Sequence, residues 1–290
     1  MGDSRDPRLG LIDLPSSAIV DLSIPADPDC ARERELTPRA LADGRLAYIH
    51  ICQHAVNNRP PDDAELWALD VPSGAVTRVM AIGPLGTAQG VGYTVNADLS
   101  EAIVGVGLIC GYLVVNSKSG ETDRLDVLIE KDGKAFSLAD PVPPGRDCPE
   151  MGWATQPALS PDGSILAFLA SAAAVGQTGS DRLDAPASIY LLVRATGKLT
   201  ELLGGIVEPG ELAWSPKGDR LAFSGKVDGE AATWALPAHG GAAQRLAPPA
   251  RRLAWSPDGT QILAAFLTAD QAVPFTSMLA VVDASEPTSP

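Results

Sequence analysis

The chain has 290 residues, 45% hydrophobic but only 5% aromatic, so alanine, valine and leucine must carry most of a core. That length suits one large all-β domain without forcing a second. A net charge of −14 excludes the basic footprint of a nucleic-acid binder and disfavours anionic membrane surfaces. The acidic field suits cationic ligands, peptides or metal ions, and equally serves plain solubility.

No segment reaches the ~20 apolar residues that span a bilayer. The opening, Met1-Gly2-Asp3-Ser4-Arg5-Asp6-Pro7, lacks a basic-then-apolar leader pattern. As written, the chain is expected to be cytoplasmic, or extracytoplasmic where a leader or anchor precedes it. Leu9–Leu14 and Ala18–Ser23 read as an outer hairpin turning at Pro15-Ser16-Ser17. One of its strands is expected to pair with residues 277–283 and close the fold, since closure removes an open edge. Residues 25–40, with Glu33-Arg34-Glu35, read as a charged connector.

An inner hairpin is then expected around Ala42-Asp43-Gly44. An outer one follows from Glu65-Leu66-Trp67-Ala68-Leu69-Asp70 through Pro72-Ser73-Gly74 to Ala75-Val76-Thr77-Arg78-Val79. The pattern returns at Asn96–Val104 and Gly111–Val115. Residues 128–155 form the longest connector between units, and Lys131-Asp132-Gly133-Lys134 within it is expected to nucleate a small extra hairpin.

Beyond it the sequence repeats itself openly. Ala158-Leu159-Ser160-Pro161-Asp162-Gly163, Leu212-Ala213-Trp214-Ser215-Pro216-Lys217-Gly218 and Leu253-Ala254-Trp255-Ser256-Pro257-Asp258-Gly259 each run into an apolar segment ending in Phe168, Phe223 or Phe266. Proline presets φ, aspartate bonds its own backbone and glycine accepts positive φ, so each copy dictates a strand–turn–strand unit. A period of roughly 40 to 55 residues is the length of a four-stranded propeller blade.

The motif resembles the TolB-type β-propeller repeat, a WD-repeat-like unit marked by a Ser-Pro-Asp-Gly turn and a Leu-Ala-Phe-like strand. The resemblance covers roughly residues 36 to 285, and its first two copies lack the Ser-Pro. It implies an all-β propeller in a single domain, with 1–24 as outer or closing hairpin and 286–290 as a tail. Six outer-hairpin starts against five inner hairpins favour six blades, one incomplete or closed by the N-terminal strand, with five as the alternative. The resemblance says little of function, because such repeats occur in translocation proteins, peptidases, lyases and binding proteins.

Chemistry-bearing motifs are scarce. No Gly-x-Ser-x-Gly elbow, glycine-rich phosphate cradle or zinc spacing occurs in the sequence. Histidine is limited to His50, His54 and His239; His50 reads as a satisfied strand residue. Trp214 and Trp255 are expected to pack between blades. The candidate ligand-binding residues are those where connectors enter a blade near the channel: Trp153, Gln156, Glu208, Glu211, Arg251 and Arg252. Cys52 and Cys110 sit in apolar runs as small hydrophobes, while Cys30 and Cys148, in proline-rich loops, are the candidate disulfide.

The long stretches 53–64, 128–155, 171–187 and 267–276 all fall on one face of a propeller, and loops carry binding on rigid scaffolds. The expectation is a monomeric, non-catalytic bacterial scaffold that needs no cofactor or metal. It binds a protein, peptide or glycan on that face, perhaps within a larger protein. The rival is a hydrolase or lyase with its site at the channel mouth.

Overall fold

The recurrent turn is built from its own side chains. In the computed structural model the Ser160 hydroxyl donates to Asp162 at 2.6 Å and accepts the Ile165 amide at 2.9 Å. Asp162 accepts the Ser164 amide, and Gly163 takes φ +73°. Ser256, Asp258 and Gly259 repeat the arrangement. Where Lys217 replaces the aspartate, Ser215 donates to Asp219 instead, at 2.6 Å. In the degenerate copy Asn96 accepts the Glu101 amide, and Leu99 takes the glycine's left-handed place at φ +59°. That conformation is unfavourable for leucine; its burial in the core offsets the strain.

The structure describes the chain apart from residues 1–8, 14, 17, 23–29, 31, 42, 54–62, 85–91, 106–110, 139–152, 178–180, 182–183, 268–276 and 286–290. It is an all-β propeller. Strands β1 (Gly10–Asp13) and β2 (Ala18–Asp21) form the N-terminal hairpin. Blade I holds β3 (Arg32–Ala40), β4 (Leu46–Gln53), β5 (Asp63–Asp70) and β6 (Ala75–Pro84). Blade II holds β7 (Tyr93–Val95), β8 (Glu101–Gly105), β9 (Tyr112–Asn116) and β10 (Thr122–Arg124). The extra hairpin is β11 (Leu128–Lys131) and β12 (Lys134–Ser137), turning at Asp132-Gly133 as the sequence requires.

Blade III follows with β13 (Trp153–Leu159), β14 (Ile165–Ser171), β15 (Ala187–Val193) and β16 (Lys198–Ile206). Blade IV has β17 (Leu212–Trp214), β18 (Arg220–Val227), β19 (Glu230–Pro237) and β20 (Gln244–Ala247). Blade V has three described strands: β21 (Arg252–Trp255), β22 (Gln261–Leu267) and β23 (Ser277–Asp283). The structure therefore has five blades, the alternative count rather than the favoured six. The sixth outer-hairpin start in the sequence is β1, which has no inner strands of its own among the described residues.

Apolar faces packed blade on blade make the core. Ile49 and Leu66 of blade I meet Tyr93 and Val104 of blade II. The β11–β12 hairpin inserts Ile129 and Phe136 beside Tyr112 and Phe168, between blades II and III. Leu169 and Ile189 meet Trp214 and Phe223 across the next interface, and Ala222 meets Leu253 and Ile262 across the last.

Three expectations are corrected here. First, β3 occupies most of the segment read as a charged connector, pairing Glu33 with Cys52 and Glu35 with His50. Charge alternating along Arg32-Glu33-Arg34-Glu35 is compatible with an edge-type strand, and charge alone does not mark a loop.

Second, the N-terminal hairpin does not pair with β23 among the described residues; β23 bonds β22 alone. Instead Leu9 and Leu22 pack against Tyr48, Trp67 and Leu69 on the face of blade I turned away from blade II. Burying those large side chains outweighs completing an edge.

Third, the disulfide joins Cys30 to Cys52, with Cα atoms 5.3 Å apart. Cys30 immediately precedes β3, whose first residues pair with Gln53 and Cys52, so the ladder itself brings the two together. Cys148, the partner expected for Cys30, and Cys110 lie outside the described residues.

Candidate functional site

The inner strands of a propeller line its axis, and side chains from three blades converge there. Arg39 of β3 donates from Nη1 to Glu211 Oε1 at 2.9 Å. Glu211 stands just ahead of β17, and its Oε2 accepts the Leu253 amide of β21 at 2.8 Å. Arg252 Nη1 lies 3.9 Å from the same carboxylate. One side chain thus ties blades I, IV and V together. Glu211 is only 3% exposed while Arg39 and Arg252 are 28% and 59% exposed, so a buried anion is neutralised by cations that reach water. A buried carboxylate is stable only when paired and hydrogen-bonded in this way.

Of the residues chosen from sequence, Glu211 and Arg252 are the two the structure brings together. They hold the same place in the repeat, four residues ahead of the turn-opening Ser215 and Ser256. Gln156 holds it ahead of Ser160, and Thr37 ahead of Leu41. Both lie within β-bulges, at φ +54° and +49°, and each precedes a proline. Proline disfavours such conformations in the residue before it, and strained backbone of this kind persists only where surrounding structure holds it. Glu208, at φ +52° before Pro209, is exposed, as is Arg251. Trp153 is placed elsewhere: it is 2% exposed and belongs to the core shared by blades III and IV.

Sequence reasoning missed Arg39. It lies in the degenerate first copy, inside the segment read as a connector. Its signal was Thr37-Pro38, which matches Gln156-Pro157 and sets Arg39 on an inner strand.

Beyond this cluster the few aromatics latch blades together. The Tyr93 hydroxyl donates to the Ala47 carbonyl at 3.0 Å, joining blades II and I. Tyr112 donates to Thr155 at 2.8 Å, joining II and III. Trp214 Nε1 donates to Ala158 at 2.9 Å and Trp255 Nε1 to Ala213 at 3.1 Å, the same position one blade on. Burial pushes the Tyr93 and Tyr112 hydroxyls well above their ordinary pKa. Arg220 adds a clasp: it donates to the Gly259 and Ala284 carbonyls and lies 4.9 Å over the Trp255 ring. His50 is not satisfied as expected. It is 3% exposed, its ring lies 5.0 Å from that of Trp67 at a tilt of 48°, and neither ring nitrogen has a hydrogen-bond partner among the described residues. His54 lies outside them.

Strand boundaries divide the connections sharply between the two ends. At one end lie 54–62, 85–92, 106–111, 138–152, 172–186 and 268–276; the other carries turns of six residues or fewer, such as 160–164, 194–197, 238–243 and 256–260. Inner strands start at the first end, so Gln156, Glu208, Arg251 and Arg252 belong to it. The connection after β14 is partly core: Ala172, Ala174 and Ala185 are buried, and Lys134 Nζ donates to the Ala173 and Val175 carbonyls at 2.9 and 3.1 Å. Among the described residues no three histidine, cysteine, aspartate or glutamate side chains are grouped to hold a metal ion.

No family model matches the chain, and no curated protein does. Solved structures do. TolB from Acinetobacter baumannii superposes with a TM-score of 0.60 at 14% identity, over 94% of this chain and 56% of that one. An oligogalacturonate lyase in complex with manganese gives 0.56 at 14% identity, over 96% and 72%. An acylaminoacyl peptidase from Pyrococcus horikoshii gives 0.52 at 10% identity, over 97% and 41%. The likeness is one of fold. The chain spans little more than half of the TolB chain, and a shared fold does not by itself assign a function.

Proposed function

We propose that this chain is a non-catalytic propeller scaffold that recognises a protein, peptide or glycan on the end carrying its long connections. The observation that supports this most is the division of connection lengths described above: every connection of more than six residues between blade strands leaves from one end. Drift would scatter such lengths over both ends, whereas loops on a rigid scaffold are the usual carriers of recognition. The exposed Glu208, Arg251 and Arg252 stand at the same end and offer charged contacts.

A catalytic reading would need a free acid, base or nucleophile at the channel mouth. Among the residues whose burial is described, Glu211 is the one buried carboxylate there, with both oxygens committed, to Arg39 and to the Leu253 amide, while Glu208 stands exposed to water. That favours binding over chemistry. The Cys30–Cys52 bond further favours an oxidising, extracytoplasmic setting, and recognition there suits the sensing portion of a larger bacterial protein.

The test is a partner captured from bacterial extract, purified, and titrated against two sets of variants. Deletion of 178–183, which spares the buried alanines around it, and Arg251→Glu with Arg252→Glu should weaken binding. Asp162→Lys and Lys217→Glu, at the short-turn end, should leave it unchanged. The opposite pattern assigns recognition to the other end.

A further inference from the structure

Blade V has three described strands, and the edge of its outermost one is unlike that of the other blades among the described residues. The outer strands of blades I to IV carry charges: Arg78 in β6, Asp123 and Arg124 in β10, Lys198 and Glu201 in β16, Arg245 in β20. Charged edge strands resist pairing with other chains. By contrast β23 reads Ser277-Met278-Leu279-Ala280-Val281-Val282-Asp283, without proline and without charge until its last residue. All seven residues are in register with β22, and no described strand bonds the other side. Ala280 and Val282 turn toward the blade IV core, so Leu279 and Val281 face away from it; they are 43% and 47% exposed.

We propose that β23 pairs edge to edge with β23 of a second copy of this chain, forming a two-fold dimer with one continuous six-stranded sheet. The sequence is self-complementary in the register that symmetry requires. A two-fold axis relating antiparallel strands must pass beside a residue that faces itself. Ala280, the midpoint of the strand, is the position that uses all seven residues.

Pairing about Ala280 sets Leu279 opposite Val281 twice, and Met278 opposite Val282 twice. It places Asp283 opposite Ser277 rather than opposite another aspartate, so no like charges meet. Leu279, Val281 and their two copies then form one apolar patch on one face of the joined sheet, and the row of unpaired backbone groups is satisfied. The N-terminal hairpin is the rival surface, since Ile12 and Ile19 are paired across it and exposed at 43% and 73%. It offers two short strands of four residues and no comparable free edge.

Light scattering on the eluting protein across a dilution series tests this. The wild type should show a concentration-dependent dimer. Val281→Lys, which sets a charge into the joined sheet without touching the monomer core, should raise the dissociation constant by at least about tenfold. Its unfolding midpoint should stay near that of the wild-type monomer. Ile19→Lys should dimerise as before.

Register is read separately under mild oxidation. A mixture of Leu279→Cys and Val281→Cys proteins should cross-link as a heterodimer well above either protein alone. A wild type monomeric at every concentration overturns the proposal. So does a dimer that survives Val281→Lys or dissolves with Ile19→Lys, and so does cross-linking no greater in the mixture than in its components.

Discussion

Blades II to V and the seam between blades V and I are held together by different means. Along the arc a side-chain latch crosses each joint: Trp214 to Ala158 and Trp255 to Ala213 between the good copies, and Tyr112 to Thr155 where the copy in blade II is degenerate. At the seam no hydrogen bond joins blade V to blade I among the residues whose side chains are described. Arg39 instead reaches past blade V to Glu211 of blade IV, and the Cys30–Cys52 bond secures the first strand of blade I to the second. The difference teaches that a repeat can carry its own joints wherever both neighbours are good copies. A degenerate first copy must be joined by something the repeat does not encode.

The largest effect should come from breaking the arc. Phe168 is fully buried, with Tyr112 and Tyr190 each 5.8 Å from its ring centroid. Phe168→Ala should destabilise by about 3–5 kcal/mol through lost burial and a residual cavity, read from denaturant unfolding. A loss below about 1 kcal/mol would mean that the interface between blades II and III collapses to refill the space.

Next comes the seam's covalent tie. Cys30 and Cys52 are 22 residues apart in sequence, and closing a loop of that size is worth roughly 3 kcal/mol. Cys52→Ala, or reductant on the wild type, should lower stability by that order. Hydrogen exchange should accelerate first in β3 and β4, while β14 and β15 keep their protection. Equal acceleration in blades I and III would show that seam and arc open as one unit.

Glu211→Gln should cost less. The amide can still accept from Leu253, and Arg39 can turn to water, so about 1–2 kcal/mol is expected. The sharper measurement is a double-mutant cycle with Arg39→Met, where a coupling of about 0.5 kcal/mol or more marks a direct interaction. A cycle that sums to zero would remove Arg39 from the seam.

The same contrast explains what could be read in the sequence. Turn residues act locally: Ser160, Asp162 and Gly163 bond one another, so Ser-Pro-Asp-Gly announces its hairpin without knowledge of the rest. Asp132-Gly133 announced β11 and β12 in the same way, and the recurrence of Trp214 as Trp255 announced packing between blades. Arg39 and Glu211 lie 172 residues apart, and neither residue type declares a partner at that distance. Cys52 looked like a core residue because it is one; only the ladder of β3 on β4 shows what stands across from it. The strand β3 itself was hidden by its charges. The blade count depended on whether an N-terminal hairpin pairs at an edge or packs on a face, and local pattern does not decide between those.

The smallest expected effect is also the most local, and it is read in the turns by pH. Hydrogen bonds from the Ser160 and then the Ser164 side chain hold the Asp162 carboxyl down to about 2; the Ser256 hydroxyl, then the Thr260 amide, do the same for Asp258, also to about 2. Both carboxyls are fully exposed, so burial is not the cause. A folded pKa below the unfolded value of about 3.9 means that the turn bonds stabilise fully above that pH. The contribution is lost as pH falls from about 4 through about 2, because the protonated carboxyl is a weaker acceptor. Wild type should therefore lose stability across that window, and Asp162→Asn with Asp258→Asn should flatten the slope there. At pH 7 the double variant should be slightly less stable, with the gap closing as acid is added. High salt should change little, since the stabilisation comes from hydrogen bonds within each turn rather than from distant charges. If the slope between about pH 4 and 2 is unchanged in the double variant, the turns do not set the acid limb.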